Sequence, residues 1–164
     1  MIRIGHGYDL HRIVQNRRLV LGGVAIPWDQ GLLGHSDADV LLHAITDAVL
    51  GALALGDIGH WFPDTDPEWA GADSADLLRH VLADPRVRPW RLSNLDATIQ
   101  AERPKLAPHI DPIRRSIAAI FGVPETAVSV KATTMEGTGA IGQGEAMAAH
   151  AVLILTSRET SCAS

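Results

Sequence analysis

The sequence predicts an α+β fold, a two-layer sandwich with helices on one face of a mixed sheet of four to five strands. Three observations predict it. Strand-like and helix-like stretches mix without strict strand–helix–strand alternation. The 164 residues are 46% hydrophobic and 20% charged, a composition that can bury one core. The strand-like run Ala146 to Leu155 is almost wholly apolar and reads as buried. Too few helices are expected to cover both sheet faces, so self-association through the sheet is expected. One domain is expected over residues 1–158, with 159–164 as a flexible tail.

Each element has its own signal. Ile2 to Leu10 alternates loosely and reads as a strand, and Arg17 to Ile26, with Gly22-Gly23 inside it, reads as two short strands or a bent hairpin arm. Gly31 to Gly34 reads as a turn. Ser36 is a candidate N-cap, with Asp37 and Asp39 in the first turn, for a helix to about Leu55 that Gly56 stops. Asp57 to Gly71 reads as a long polar loop, of the kind that often carries function. A second helix is expected from Asp73-Ser74 to before Pro85, a strand over Arg91 to Ala101, and a third helix from Pro108 to Phe121, closed by Gly122. A strand over Ala127 to Thr133 and a Gly-rich segment, Gly137 to Gly144, precede the last strand.

Bulk properties exclude some functions. A net charge of −5, 4% aromatics and no basic run argue against nucleic acid as the main partner. The apolar run Val40 to Leu55 is broken by His43, Thr46 and Asp47 and is too short for a membrane span. The opening Met-Ile-Arg-Ile-Gly-His is strand-like, so no targeting segment is expected. Cys162 is the single cysteine, which rules out an intrachain disulfide and fits a reducing, cytoplasmic setting.

Asp9-Leu10-His11 and His43 carry the most chemistry. Asp9 and His11 are two apart on a strand, so their side chains share a face. With His43 they form an O, N, N set without thiolate, suited to a divalent metal with an open position. Asp39 and Asp47 flank His43 at i−4 and i+4, and either carboxylate can orient a metal-bound imidazole. An isolated Asp-x-His is common by chance; an imidazole in an apolar helix, by contrast, needs partners. The acids of Asp57 to Asp66 can bind hydroxyls or a hard cation, although a solvated loop with an Asx turn before Pro67 is the simpler reading. Lys131 to Gly137 ends a strand with hydroxyls and a carboxylate that suit phosphate and Mg²⁺, a hairpin turn being the plainer account. Pro104-Lys105 enters a helix, where phosphate binding competes with simple initiation by proline. No Ser/His/Asp or cysteine nucleophile set is evident.

In this order the motifs resemble the 2-C-methyl-D-erythritol 2,4-cyclodiphosphate synthase family over nearly the whole chain. The matching stretches are Arg3 to His11, Leu21 to Pro27, Gly31 to Val40, Ala54 to Gly59, Phe62 to Pro67, Pro104-Lys105 and Val130 to Thr134. The resemblance implies a single catalytic domain in a homotrimer, with sheets packed around the axis and active sites between subunits. It implies zinc on Asp9, His11 and His43, and Mg²⁺ or Mn²⁺ on Glu136. His35, Ser36 and Thr134 would lie beside the phosphates. Asp57, Gly59 and Asp64 would meet substrate hydroxyls. Ala101, Lys105, Leu106, Ala132 and Thr133 would form the cytidine pocket. The implied activity is that of a lyase of non-mevalonate isoprenoid biosynthesis that releases CMP. A metal-dependent diphosphate hydrolase and a trimeric zinc-containing binding protein are the alternative classes.

The chain departs from the family after Glu136. The usual aromatic is Ala140, and a frequent arginine is Gln143. Met135 stands where a small polar residue is common. In this family positions 140 and 143 border a cavity on the trimer axis that can hold an isoprenoid diphosphate. Loss of an apolar wall and a fixed cation weakens such binding. Calorimetry with geranyl diphosphate is therefore expected to show weak or no heat of binding; tight, stoichiometric binding would contradict the reading.

Overall fold

A computed structural model of the chain describes residues 1–157; the tail expected over 159–164, with Cys162, lies outside the described residues. The strands are β1 (Ile2–Gln15), β2 (Leu19–Leu21), β3 (Val24–Ile26), β4 (Gln30–Leu32), β5 (Trp90–Gln100), β6 (Val128–Thr133) and β7 (Ala146–Ser157). The helices are α1 (Val40–Ala52), α2 (Ile58–Trp61), α3 (Ser74–Ala83), α4 (Ile110–Phe121) and α5 (Gly139–Gly142). The main sheet runs β4-β1-β7-β5-β6, and β2 and β3 form a separate ribbon. Only the β5–β6 pairing is parallel, so the sheet is mixed as expected. Helix α1 lies on β1 and β7, α4 lies on β6, and α3 bridges α1 and α4.

Several boundaries move, each for a physical reason. β1 runs past Leu10 because Ile13 to Gln15 pair with Leu32 to Gln30, which turns the expected turn at Gly31 to Gly34 partly into strand β4. Gly22 and Gly23 both have positive φ, at 62° and 75°, and close the two-residue turn between β2 and β3. Ser36 does not cap α1. Asp39 does, accepting from the Leu41 and Leu42 N–H groups and, with its other oxygen, from Gly23 N at 2.7 Å. Burial pushes the Asp39 carboxyl up to about 6 against the pull of these backbone donors. The helix also stops early. Leu55 N–H reaches Leu50 O and Ala54 N–H reaches Gly51 O, with Ala54 at φ 56° in the left-handed position. That is a Schellman closure in which alanine takes the place expected of a glycine.

The polar stretch 57–71 is not structureless. It holds α2 and a 3-10 turn over Pro67–Trp69. Phe62 and Trp69 pack edge to face with centroids 4.9 Å apart, and His80 of α3 joins them. The Gly-rich segment 137–144 does not close a hairpin either, because β6 and β7 are not neighbours in the sheet; it carries α5 instead.

Two glycines set the distance between the layers. A Cβ on Gly5 would lie 1.8 Å from Ala48 O, and one on Gly7 would lie 1.9 Å from Ala44 O. The helix backbone therefore rests directly on the strand. The opposite sheet face is uncovered. Ile2 and Ile4 are 67% and 68% exposed, and Tyr8, Leu10 and Val152 share that face.

Gly7→Ala is expected to force the layers apart and to cost about 3 kcal/mol, the upper end for overpacking, since a backbone oxygen cannot rotate away. Urea unfolding measures it, and an unchanged midpoint would show that the layers are not held this tightly.

Candidate functional site

The odd-numbered face of β1 reads Gly5, Gly7, Asp9, His11. β1 and α1 run in opposite directions, with Gly5 at Ala48 and Gly7 at Ala44. The next step along the strand brings Asp9 to His43. Helix α1 is buried almost all round; only His43, Asp47 and Gly51 escape full burial, spaced four apart on one stripe. A neutral apolar helix thus presents one polar edge, and that edge meets Asp9 and His11.

The three side chains converge as the spacing predicts. Asp9 Oδ2 lies 2.9 Å from His11 Nε2 and 3.0 Å from His43 Nδ1, and the two nitrogens are 3.0 Å apart. Ligands about 2.0–2.1 Å from a tetrahedral zinc stand about 3.3 Å from one another, so this triangle is close to one face of such a shell. Burial pushes the Asp9 carboxyl up, but the His11 and His43 imidazoles outweigh it and hold the group well below the usual carboxylate range. Burial pulls His11 down, and the Asp9 carboxylate more than reverses this, leaving it raised.

The outer nitrogens are also held. His11 Nδ1 donates to Leu33 O at 2.8 Å, which leaves Nε2 unprotonated in the neutral ring. His43 Nε2 lies 3.1 Å from Ser36 Oγ and 3.0 Å from Ser74 Oγ. Neither flanking carboxylate orients His43, contrary to the sequence reading. Asp39 is spent on capping, and Asp47 accepts from Ile58 N at 2.7 Å, which pins the start of α2 to α1. Arg17 clamps the 34–36 loop through Gly34 O and Ser36 O at 2.9 and 2.7 Å.

A cavity of about 280 Å³ opens on the imidazoles. His35, Ser36, Gly59 and Asp64 line its polar side, and Ile58, Phe62, Trp69 and Leu77 form an apolar wall. Asp57 does not line it; its Oδ1 caps α2 by accepting His60 N at 2.9 Å. A second cavity of about 660 Å³ is lined by Ala101, Lys105, Leu106, Ala132, Thr133 and Thr134, with Trp28 at its edge. The two cavities share no residue. Glu136 lines neither; it is exposed, at φ 51°, and accepts from the Thr134 hydroxyl at 2.7 Å. The sequence reading missed Asp37, Ser74 and Arg17, and the aromatic wall. Asp37 and Ser74 are far apart in the chain, and no local pattern joins them.

Residues 2–156 match the YgbB family. A 2-C-methyl-D-erythritol 2,4-cyclodiphosphate synthase of Trichlorobacter lovleyi is 60% identical over 154 residues, 94% of this chain and 98% of the relative. A solved 2C-methyl-D-erythritol-2,4-cyclodiphosphate synthase in a CDP-bound form superposes with a TM-score of 0.86 at 39% identity, covering 94% of this chain and all of that one. The bifunctional IspDF from Campylobacter jejuni superposes with a TM-score of 0.91 at 40% identity; the match covers 96% of this chain and 43% of that longer one.

His43→Ala is expected to abolish divalent-metal binding while the chain still folds, because alanine suits the helix and the core is aliphatic. Metal content after dialysis against zinc, set beside the thermal unfolding of the metal-free variant, checks this. Stoichiometric metal in the variant would remove His43 from the site.

Proposed function

The chain belongs to the YgbB family, and on that premise we propose that it converts 4-diphosphocytidyl-2-C-methyl-D-erythritol 2-phosphate to 2-C-methyl-D-erythritol 2,4-cyclodiphosphate and CMP. An oxygen of the substrate's own 2-phosphate forms a bond to the β-phosphorus. The bond from that phosphorus to the oxygen bridging the two diphosphate phosphorus atoms breaks, and CMP leaves with the electron pair. The activity is that of a phosphorus–oxygen lyase in non-mevalonate isoprenoid biosynthesis. The Asp9–His11–His43 triangle, whose two imidazoles line a small cavity, carries this reading, since it gives a phosphate ester a place for a divalent cation.

Zinc suits the O, N, N donor set and, when bound, supplies fixed positive charge to the β-phosphate. The other tasks fall to the chain itself. The attacking group is already an anion, so no strong base is required; the chain must fold the substrate on itself and exclude water. His35 and Ser36 hold the phosphates beside the imidazoles, and the Thr134 hydroxyl holds the diphosphate. Gly59 and Asp64 take the methylerythritol hydroxyls. Asp57 offers Oδ2 to the same end, its Oδ1 being occupied by the cap. Ala101, Lys105, Leu106, Ala132 and Thr133 hold the cytidine. Glu136 would hold Mg²⁺ or Mn²⁺, which would supply positive charge at the diphosphate.

We place the complete site between subunits of a homotrimer. That the two cavities have no lining residue in common supports this, because one substrate must reach both. The uncovered face of β1 and β7 supports it too, since Ile2, Ile4, Tyr8 and Val152 form an apolar surface that association would bury. The catalytic domain is taken as residues 1–158. A cytoplasmic setting accords with the lone cysteine, and among the described residues no helix is long and apolar enough to cross a membrane.

Phosphorus NMR of the protein with its cytidyl substrate, Zn²⁺ and Mg²⁺ is expected to show CMP and a cyclic diphosphate. CMP with only linear phosphates would mean water replaces the internal phosphate, and the chain is a hydrolase. No turnover with zinc bound would make it a binding protein.

A further inference from the structure

We propose that Ser74, held by Asp37, is a positioning residue that fixes His43 in the tautomer able to bind metal. The inference rests on the metal reading above and concerns residues outside the three ligands.

Ser74 is the first residue of α3 and is 1% exposed. Its hydroxyl is not needed for capping, because Asp73 caps that helix by accepting from Ala75 N at 2.8 Å. Instead Ser74 turns toward the loop before α1. Its backbone N–H donates to Asp37 Oδ2 at 3.2 Å, and its hydroxyl donates to Asp37 Oδ1 through a short contact.

That arrangement decides a proton position. A carboxylate only accepts, so the single hydroxyl proton of Ser74 is committed to Asp37. The Ser74 oxygen then faces His43 Nε2, 3.0 Å away, with lone pairs alone. The contact is favourable only if Nε2 carries a proton. Nδ1 is the nitrogen that faces Asp9 Oδ2 and His11 Nε2; Asp9 competes for the proton there in the metal-free ring, and a cation at Asp9 ends that competition and leaves Nε2 protonated toward Ser74. Ser36 does not settle the matter. Its hydroxyl, 3.1 Å from Nε2, can either donate or accept. The chain Asp37–Ser74–His43 thus does for this ligand what a carboxylate does directly for many metal-bound histidines. It also ties α3 to the site across 37 residues of sequence.

Two measurements test the proposal. In zinc-loaded wild-type protein, nitrogen-15 NMR is expected to show His43 bound to the metal through Nδ1 with its proton on Nε2; metal on Nε2 overturns the proposal. Zinc affinity by chelator competition is expected to fall about 10- to 100-fold in Ser74→Ala, the range for loss of such a partner. In the zinc-loaded variant the His43 Nε2 proton is expected to exchange with water faster than in the wild type, a change that a merely structural role would not produce. Wild-type affinity in the variant overturns the proposal and leaves the metal reading intact. Wild-type protein that takes up no zinc sinks both.

Discussion

The contact of α1 with β1 is the constraint on which the rest depends. Helix backbone lies on strand backbone with no β-carbon between them, because Gly5 and Gly7 leave the space and Ala44 and Ala48 fill it. Such closeness leaves no slack for sliding or rotation. It therefore fixes where His43 stands relative to Asp9 and His11, which continue the same strand face. A candidate metal-binding triangle with edges of 2.9–3.0 Å needs placement to a few tenths of an ångström. The apolar surroundings of α1 supply that rigidity without a disulfide.

Polar groups around this contact are arranged so that acceptors meet at the centre and donors point outward. His11 gives its outer N–H to Leu33 O, and His43 gives its own to the serine beside it. What faces inward is one carboxylate oxygen and two ring nitrogens, one candidate ligand atom from each residue. Three lone pairs within about 3 Å of one another repel unless a proton or a cation lies among them. Burial opposes the charged forms of both Asp9 and His11, and the attraction between the two overrides it, lowering Asp9 and raising His11. The site is thus prepared electrostatically, and the 280 Å³ cavity above it gives an anionic group room to approach.

The sheet's two faces divide the work. One is sealed by helices and builds the centre; the other leaves Ile2, Ile4, Tyr8, Leu10 and Val152 bare. A strand pattern that alternates glycine and acid inward with large apolar groups outward is the reverse of a strand meant to face water. The two cavities draw on different residues of the chain.

The sequence by itself determined the elements whose signals are local: the alternation of β1, the Gly22-Gly23 turn, the glycine stop after Phe121 and the apolar run of β7. It also pointed to the candidate metal group, because Asp-x-His on one strand and an imidazole in an apolar helix suggest that chemistry before any contact is known, and the fold brings the three together. Only the tertiary structure decided how those residues are held. Asp39 outbid Ser36 for the helix cap because Gly23, brought in by the β2–β3 ribbon, needed its second oxygen. Asp47 went to Ile58, and the orientation of His43 passed to Asp37 and Ser74, which no spacing rule connects. The segment 57–71 gained α2 and its 3-10 turn from the packing of Phe62, Trp69 and His80, a long-range contact hidden in a polar stretch. Ligand identity is written in residue type and local period. The partner of each polar atom depends on which segments the core brings together, and that is a property of the whole fold.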